Sequence, residues 1–96
     1  MLKLFHNDIL IGLIPESDSN GMDMHGLIDL TADAAPYQPL FDWWTDPNRQ
    51  RGQDPPFPEE QLENWFVEDE QGERQEIGLP GIYSQNNRLE ILWRYF

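Results

Sequence analysis

The sequence predicts a single α+β domain, residues 1–96, that is rich in β-structure and has one or two short helices. Three observations predict this class. Apolar runs flank Asn7 and Asp8, apolar and polar residues alternate over residues 88–96, and a short apolar stripe at helical spacing lies over residues 37–44. We therefore expect five or six mostly antiparallel strands, arranged either as a curved sheet with a packed helix or as a small β-barrel.

The first 30 residues predict two strands in a hairpin and then a third strand. Residues 2–6 and 9–14 are joined by Asn7 and Asp8, which tolerate the positive φ of a tight turn. Residues 9–14 are apolar on both faces, which favours a central strand covered on both sides, and Gly12 within them indicates a bulge or a close backbone approach. The segment ESDSNG, residues 16–21, has the composition of a loop, and residues 22–30 alternate as the third strand.

The middle of the chain predicts two short helices. The apolar stripe of the first, over residues 38–45, consists of Tyr37, Leu40, Phe41 and Trp44. This spacing places Trp44 in the core and leaves Trp43, about 100° further round the helix, without a clear position in it. A second short helix is expected over residues 58–65, because proline followed by two glutamates suits a helix N-terminus.

The last third of the chain predicts a second hairpin and a well-ordered final strand. Gln71 and Gly72 separate two segments of strand-like composition, as a hairpin turn does. Over residues 88–96 the side chains of Leu89, Ile91, Trp93 and Tyr95 point to one face of a strand. So many aromatic and aliphatic residues indicate a strand paired inside the sheet.

The charge balance restricts the classes of partner. The chain has 18 acidic residues against 6 lysines and arginines, a formal net charge of −12, and no cysteine. This charge repels nucleic acids and anionic membranes, so neither is an expected direct partner. It is compatible with a basic protein partner, with a cation site or with solubility alone. The longest apolar run, residues 9–14, is too short to span a membrane, and a cytoplasmic protein without a cofactor is expected.

A cation site is one candidate. Glu16, Asp18 and Asn20 stand at alternate positions in ESDSNG, and the segment resembles the first half of the calcium loop of EF-hand proteins. The resemblance implies a site formed by these residues and Asp23. The pattern departs from that of the family at Leu27, where the loop requires a bidentate glutamate. A small-ligand or cation-binding domain that uses residues 16–23 is therefore the alternative function.

Catalysis has weaker support in the sequence. His6 and His25 are the two imidazoles, and neither stands in a pattern that supplies several metal ligands or a nucleophile with its base. Carboxylates are too frequent for any pair of them to indicate a glycosidase-type site. The sequence therefore predicts a protein that is not an enzyme.

An acidic recognition surface is the leading candidate. Residues 54–76 contain nine acids and one base, and crowded like charges are easiest to explain if a cationic partner relieves their repulsion. A tryptophan with acidic neighbours also has the composition of a binding hot spot, although burial of Trp43 under a loop is somewhat favoured in so small a domain. The predicted contact residues are Trp43, Glu59, Glu60, Glu63, Glu68, Asp69 and Glu70. The predicted function is a non-enzymatic adaptor or inhibitor-like module that binds a basic protein. The sequence does not decide the oligomeric state, and an unpaired edge strand is compatible with a homodimer.

Overall fold

Seven antiparallel strands form one sheet in the computed structural model, which describes residues 1–50 and 52–96. In chain order they are β1 (Leu2–His6), β2 (Ile9–Asn20), β3 (Asp23–Leu30), β4 (Trp65–Glu68), β5 (Arg74–Ile77), β6 (Gly81–Gln85) and β7 (Arg88–Trp93). Across the sheet they follow the order β5-β4-β1-β2-β3-β7-β6. The prediction of a sheet-rich, antiparallel fold built from hairpins is confirmed.

Two parts of the fold prediction are wrong. Five or six strands is too low a count, and the alternative small barrel does not form, because the sheet is open with β5 and β6 as its edges. Among the described residues, β5 makes one pairing outside β4, an isolated bridge between Ile77 and Tyr95. The strand missing from the prediction is β6. It follows Gly78 and Pro80 and begins at Gly81, and such a composition is typical of a loop.

The N-terminal hairpin is confirmed, with Asn7 at a positive φ of 54° between β1 and β2. β2 lies at the centre of the sheet, as its apolar sequence predicted. Beside Gly12 the register with β1 shifts, and a Cβ on Gly12 would lie 2.9 Å from the Asp29 carbonyl oxygen. Gly12 therefore marks both a bulge and a close backbone approach. Leu10 and Leu13 are only half-buried, so this strand is not covered on both faces.

The loop predicted at residues 16–21 is wrong, because β2 continues as an extended strand to Asn20. Its backbone pairs with β3, and this pairing overrides a composition that is typical of turns. The register shifts between Leu13 and Glu16. Gly26 permits the close approach there, because a Cβ on Gly26 would collide with the carbonyl oxygen of Glu16.

Short helical segments complete the fold. They are a 3₁₀ helix (Ala32–Tyr37), α1 (Gln38–Trp44) and α2 (Glu59–Leu62). The helix predicted over residues 38–45 is confirmed, whereas the one predicted over residues 58–65 is only the single turn Glu59–Leu62, because the chain is extended at Glu63 and β4 begins at Trp65. α1 buries Leu40 and Phe41 against the sheet. Trp44, predicted to belong to the core, is only half-buried.

The core lies between the helical segments and one face of the sheet. Its buried apolar residues are Leu4, Ile11, Ile14, Ile28, Ala34, Tyr37, Leu40, Phe41, Trp65, Val67, Ile77, Ile82, Ile91 and Trp93. Burial of each large apolar side chain contributes about 1.5–3 kcal/mol to folding. Trp65 is fully buried, and its indole N–H donates to the carbonyl oxygen of Gln61 at 2.8 Å. In the part of the chain that the structure describes, no helix has the length and apolar character needed to cross a membrane.

Candidate functional site

Trp43 lies at the C-terminal end of α1, half-buried beside other aromatic rings. Its ring centroid is 6.0 Å from that of Trp44, with an interplanar angle of 27°, and 5.8 Å from that of Phe57. The sequence left open whether Trp43 is buried or exposed. In the structure its side chain is partly buried and partly exposed. We refer to Trp43, Trp44, Phe57 and Arg49 as the aromatic cluster.

Arg49 is the member of the aromatic cluster that sequence reasoning missed. Its guanidinium carbon lies 5.0 Å from the centroid of Trp43 and 4.5 Å from that of Trp44. Such cation–π contacts contribute about 0.5–2 kcal/mol, more when the cation is desolvated. Its Nε is buried and has no hydrogen-bond acceptor among residues 1–50 and 52–96. The tryptophan pair therefore already binds a cation of its own chain.

Phe57 connects the aromatic cluster to the acidic turn α2. Glu59, Glu60 and Glu63 are exposed and form no ion pair within the described residues. Glu59 and Glu63 are not neighbours on one helical face, because α2 ends at Leu62 and Glu63 is extended (φ −120°, ψ 175°). We refer to Glu59, Glu60 and Glu63 as the α2 acids.

A buried histidine holds α2 against the sheet. His6 is 4% exposed, and its Nε2 lies 2.7 Å from the carbonyl oxygen of Glu60, while its Nδ1 lies 2.7 Å from the hydroxyl of Tyr37. A carbonyl only accepts, so Nε2 donates, and in the neutral imidazole Nδ1 then accepts from the tyrosine O–H. Burial raises the pKa of Tyr37, which keeps this hydroxyl protonated as a donor. The imidazole of His6 therefore holds α2 in place against the sheet.

The other three predicted contact residues have partners within the chain. Glu68 lies 3.6 Å from Arg74 and opposite Lys3 in the sheet register. Asp69 accepts the backbone N–H groups of the turn that follows it, at 2.9 and 3.0 Å. Glu70 pairs with the N-terminal ammonium at 2.7 Å, which lowers the pKa of this carboxyl. Glu68 ends β4, and Asp69 and Glu70 follow it, so these three acids are separated from α2 by the length of that strand, about 10 Å from Trp65 to Glu68.

The residues proposed for a cation site do not converge. Glu16, Asp18 and Asn20 alternate along the extended part of β2, where no loop wraps around an ion. Asp23 instead accepts a 2.8 Å hydrogen bond from the guanidinium of Arg94. Over the described residues, no three His, Asp or Glu side chains are arranged to hold a metal ion. A depression of about 260 Å³ beside Glu16 is also lined by Arg88, whose positive charge disfavours a cation.

The distribution of ion pairs shows where charge remains uncompensated. Of the 18 acidic residues, Asp8, Asp23, Glu68 and Glu70 form ion pairs within the described part of the chain. These pairs occupy Arg74, Arg94 and the N-terminal ammonium, while Arg49 lies over tryptophan rings. Four cationic groups are thus engaged within the molecule, and 14 of the 18 acidic residues form no ion pair within the described part of the chain.

No family model, no curated protein and no solved structure matches this chain. The charges and contacts of its own residues therefore carry the functional argument. Trp43 packs on Phe57, which precedes Glu59 by two residues in the chain, and the α2 acids have no ion pair among residues 1–50 and 52–96.

Proposed function

We propose that this protein is a non-enzymatic interaction module that binds a basic protein partner through Trp43 and the α2 acids. The observation that carries the proposal is the unequal use of charge: Arg74, Arg94 and the N-terminal ammonium form ion pairs within the molecule, whereas the α2 acids have no ion pair among the described residues. Unpaired surface carboxylates attract a cationic partner and accelerate its association.

The position of Trp43 supports the same surface. A binding hot spot combines an aromatic anchor with a polar rim, and Trp43 packs on Phe57, two residues before Glu59. Its contact with Arg49 also limits the conformational freedom of the indole, so less entropy is lost when a partner covers it. A half-buried ring that is already oriented is a better anchor than a freely rotating one.

The intramolecular partners of Glu68, Asp69 and Glu70 favour a smaller contact surface than the sequence predicted. Glu68 and Glu70 are neutralised in part by Arg74 and by the N-terminal ammonium. Asp69 stabilises the turn between β4 and β5. We therefore assign contact to Trp43, Glu59, Glu60 and Glu63, and assign a structural role to the other three.

The competing explanation is that the carboxylates serve only hydration and solubility, and a charge-matched comparison separates the two. The binding of a fluorescein-labelled lysine decapeptide is measured by anisotropy at low salt. One variant carries Glu→Gln changes at Glu59, Glu60 and Glu63. The control carries Glu→Gln changes at Glu16, Glu73 and Glu76, which are also exposed and form no ion pair among the described residues. Both variants change the net charge from −12 to −9.

We expect the change at the α2 acids to weaken binding about five- to tenfold and the control about twofold, because local contacts add to the general field. A Trp43→Ala variant with intact α2 acids is expected to weaken binding about fivefold, as the loss of an aromatic anchor does. Equal effects of the two charge variants would show that the decapeptide responds to net charge alone, and the proposed surface would be abandoned.

A further inference from the structure

The second half of β2 has an unpaired edge. β1 pairs with β2 from Ile9 to Ile14, whereas β2 continues to Asn20. Residues 16–20 therefore pair with β3 on one side, and no described strand lies beside them on the other. Each of these residues is exposed. Such an edge presents unused backbone N–H and C=O groups to which an extended segment can add as a further strand.

The hairpin of β2 and β3 determines which backbone groups face the open side. Its two-residue turn has Gly21 at φ 74°, as in a type II′ turn, so the residues that flank the turn form a hydrogen-bonded pair. Such pairs alternate along the ladder, so Asp18 also bonds to β3, and the backbone groups of Ser17 and Ser19 point to the open side. The Ser19 N–H agrees with this direction, because it donates to the Asp18 carboxylate at 2.8 Å. The N–H of Ser17 and the carbonyl oxygens of both serines thus remain open to a partner strand.

Carboxylates alternate with these serines. Glu16 and Asp18 lie on one face of β2 and form no ion pair among residues 1–50 and 52–96. In an added antiparallel strand, the residues opposite them would form the non-hydrogen-bonded pairs, in which side chains approach most closely. Arg88 shares a depression with Glu16, but it lies on β7, so three strand spacings, about 14 Å, separate its backbone from an added strand. The edge therefore favours a strand with basic side chains at alternate positions.

A second copy of this chain does not fit this edge. Antiparallel pairing of two such edges about Ser17 would place Glu16 directly opposite Asp18 of the other copy, and like charges in that position are destabilising. The two outer edges of the sheet are less open. β6 begins with the buried residues Gly81 and Ile82, and the end of β5 is bridged by Tyr95.

We propose that residues 16–20 bind an extended segment of the basic partner, which adds to β2 as an antiparallel strand and carries lysine or arginine at alternate positions. In this mode the backbone hydrogen bonds supply affinity, and the alternate side chains supply specificity. The inference rests on the proposed function in one respect, the basic character of the partner. It adds a second contact, remote in sequence from the α2 acids, and a defined conformation for the bound segment.

Two isomeric peptides separate strand addition from charge attraction. Both have the sequence TKVKVKT, a fluorescein label and the same charge. In one isomer the backbone nitrogens of the two valines are methylated, and in the other those of the first and last lysine. When the lysines stand opposite Glu16 and Asp18, the valine N–H groups face the carbonyl oxygens of the serines. Methylation of the valines removes these donors, whereas methylation of the lysines alters the outer side of the added strand.

The affinities of the two isomers for the wild-type protein are compared by anisotropy at low salt. We expect the isomer with free valine N–H groups to bind at least about fivefold more tightly, because it alone forms the backbone hydrogen bonds. The same isomer should slow the hydrogen exchange of the Ser17 amide. Equal affinities would overturn strand addition and leave attraction between charges alone.

A pair of matched variants tests the position. Ser17→Pro and Ser17→Ala both remove the hydroxyl, but proline alone removes the backbone N–H, which is not used in pairing with β3. We expect Ser17→Pro to weaken the tighter isomer about fivefold and Ser17→Ala less than about twofold. Equal affinity of the two folded variants would overturn the assignment of this edge. The comparison of isomers on the wild type does not depend on how well Ser17→Pro folds.

The lysine decapeptide separates this proposal from the proposed function. Lysine has a low strand propensity, so the decapeptide is a poor occupant of the β2 edge and reports on the α2 acids. If it depends on the α2 acids while the two isomers bind equally, the edge fails and the proposed function stands. If the isomers differ while the decapeptide responds to net charge alone, the proposed contact surface of Trp43 and the α2 acids fails and the edge stands.

Discussion

The Nδ1 atom of His6 lies 2.7 Å from the hydroxyl oxygen of Tyr37, inside the core. Through its other nitrogen the same imidazole contacts the carbonyl oxygen of Glu60 at 2.7 Å. One side chain of β1 therefore joins the sheet both to the 3₁₀ helix and to α2. Because Glu60 belongs to the α2 acids, the position of the proposed contact surface depends on this buried polar network.

Removal of the tyrosine hydroxyl tests that network. Tyr37→Phe keeps the ring packing but leaves the Nδ1 of His6 without its donor, and we expect a loss of about 1–2 kcal/mol in the free energy of unfolding, measured with urea. Tyr83→Phe is the control, since Tyr83 is half-buried and its hydroxyl forms no hydrogen bond among the described residues. Equal stability of the two variants would contradict the role of the network.

The free energy of unfolding should decrease at alkaline pH, partly because the hydroxyl of Tyr37 loses its proton. Burial raises the pKa of this hydroxyl above its ordinary value of 10.0, so the folded state holds the proton more tightly than the unfolded chain does. The contribution is fully present below about pH 10 and is lost as the pH rises through the folded pKa. Urea midpoints measured between pH 8 and 11 should therefore decline more steeply for the wild type than for Tyr37→Phe. Parallel declines would contradict this linkage.

Gly26 is predicted to be intolerant of any side chain. A Cβ there would collide with the carbonyl oxygen of Glu16 at the bulge of β2, and relief requires the two strands to separate. We expect Gly26→Ala to cost about 3 kcal/mol or to prevent folding. Gly78→Ala is the matched control, because a Cβ at Gly78 meets no atom within 4 Å, and its cost should be within about 0.5 kcal/mol. Circular dichroism during thermal unfolding compares them.

Arg74 is predicted to stabilise the β4–β5 hairpin through several contacts at once. Its guanidinium lies 4.2 Å from the ring centroid of Phe5, and it pairs with Asp8 at 3.2 Å and with Glu68 at 3.6 Å. Arg74→Ala should cost about 1–2 kcal/mol, with part of the loss removed by 1 M salt. Arg88→Ala is the control, because Arg88 is exposed and forms no ion pair among the described residues. A similar, small effect of both changes would show that the Arg74 contacts contribute nothing.

The elements that the sequence predicted well are those with local signals. The hairpin at Asn7 and the helix over residues 38–45 depend on turn chemistry and on helical spacing within a few residues. The extended path of residues 16–20 was missed because its cause is pairing with β3, which composition does not report. β6 was missed although a signal was present: Asn86 and Asn87, at φ of 53° and 62°, are residues that a two-residue hairpin turn favours.

In the candidate site, too, the features with local signals were predictable and those that depend on tertiary contacts were not. The exposed state of the α2 acids follows from their charge and needs no tertiary information. By contrast, the position of Arg49 over Trp43 and Trp44 depends on how the segment after α1 turns back, and no local pattern encodes that path. The ion pair of Glu68 with Arg74 depends on the register of β4 and β5. Sequence reasoning therefore found the acidic residues but not the pairing that separates structural carboxylates from available ones.

The most direct measurement of the central claim is a chemical-shift map of the ¹⁵N-labelled protein titrated with the lysine decapeptide. If Trp43 and the α2 acids form the recognition surface, the largest shifts will fall on the amides of residues 57 and 59–63 and on the indole N–H of Trp43. The exposed acids of β2 and β5 will then change little, and the shifts will diminish as salt is added. Shifts of similar size at all exposed acidic residues would contradict the claim, and would identify the charge of this protein as a general property of its surface.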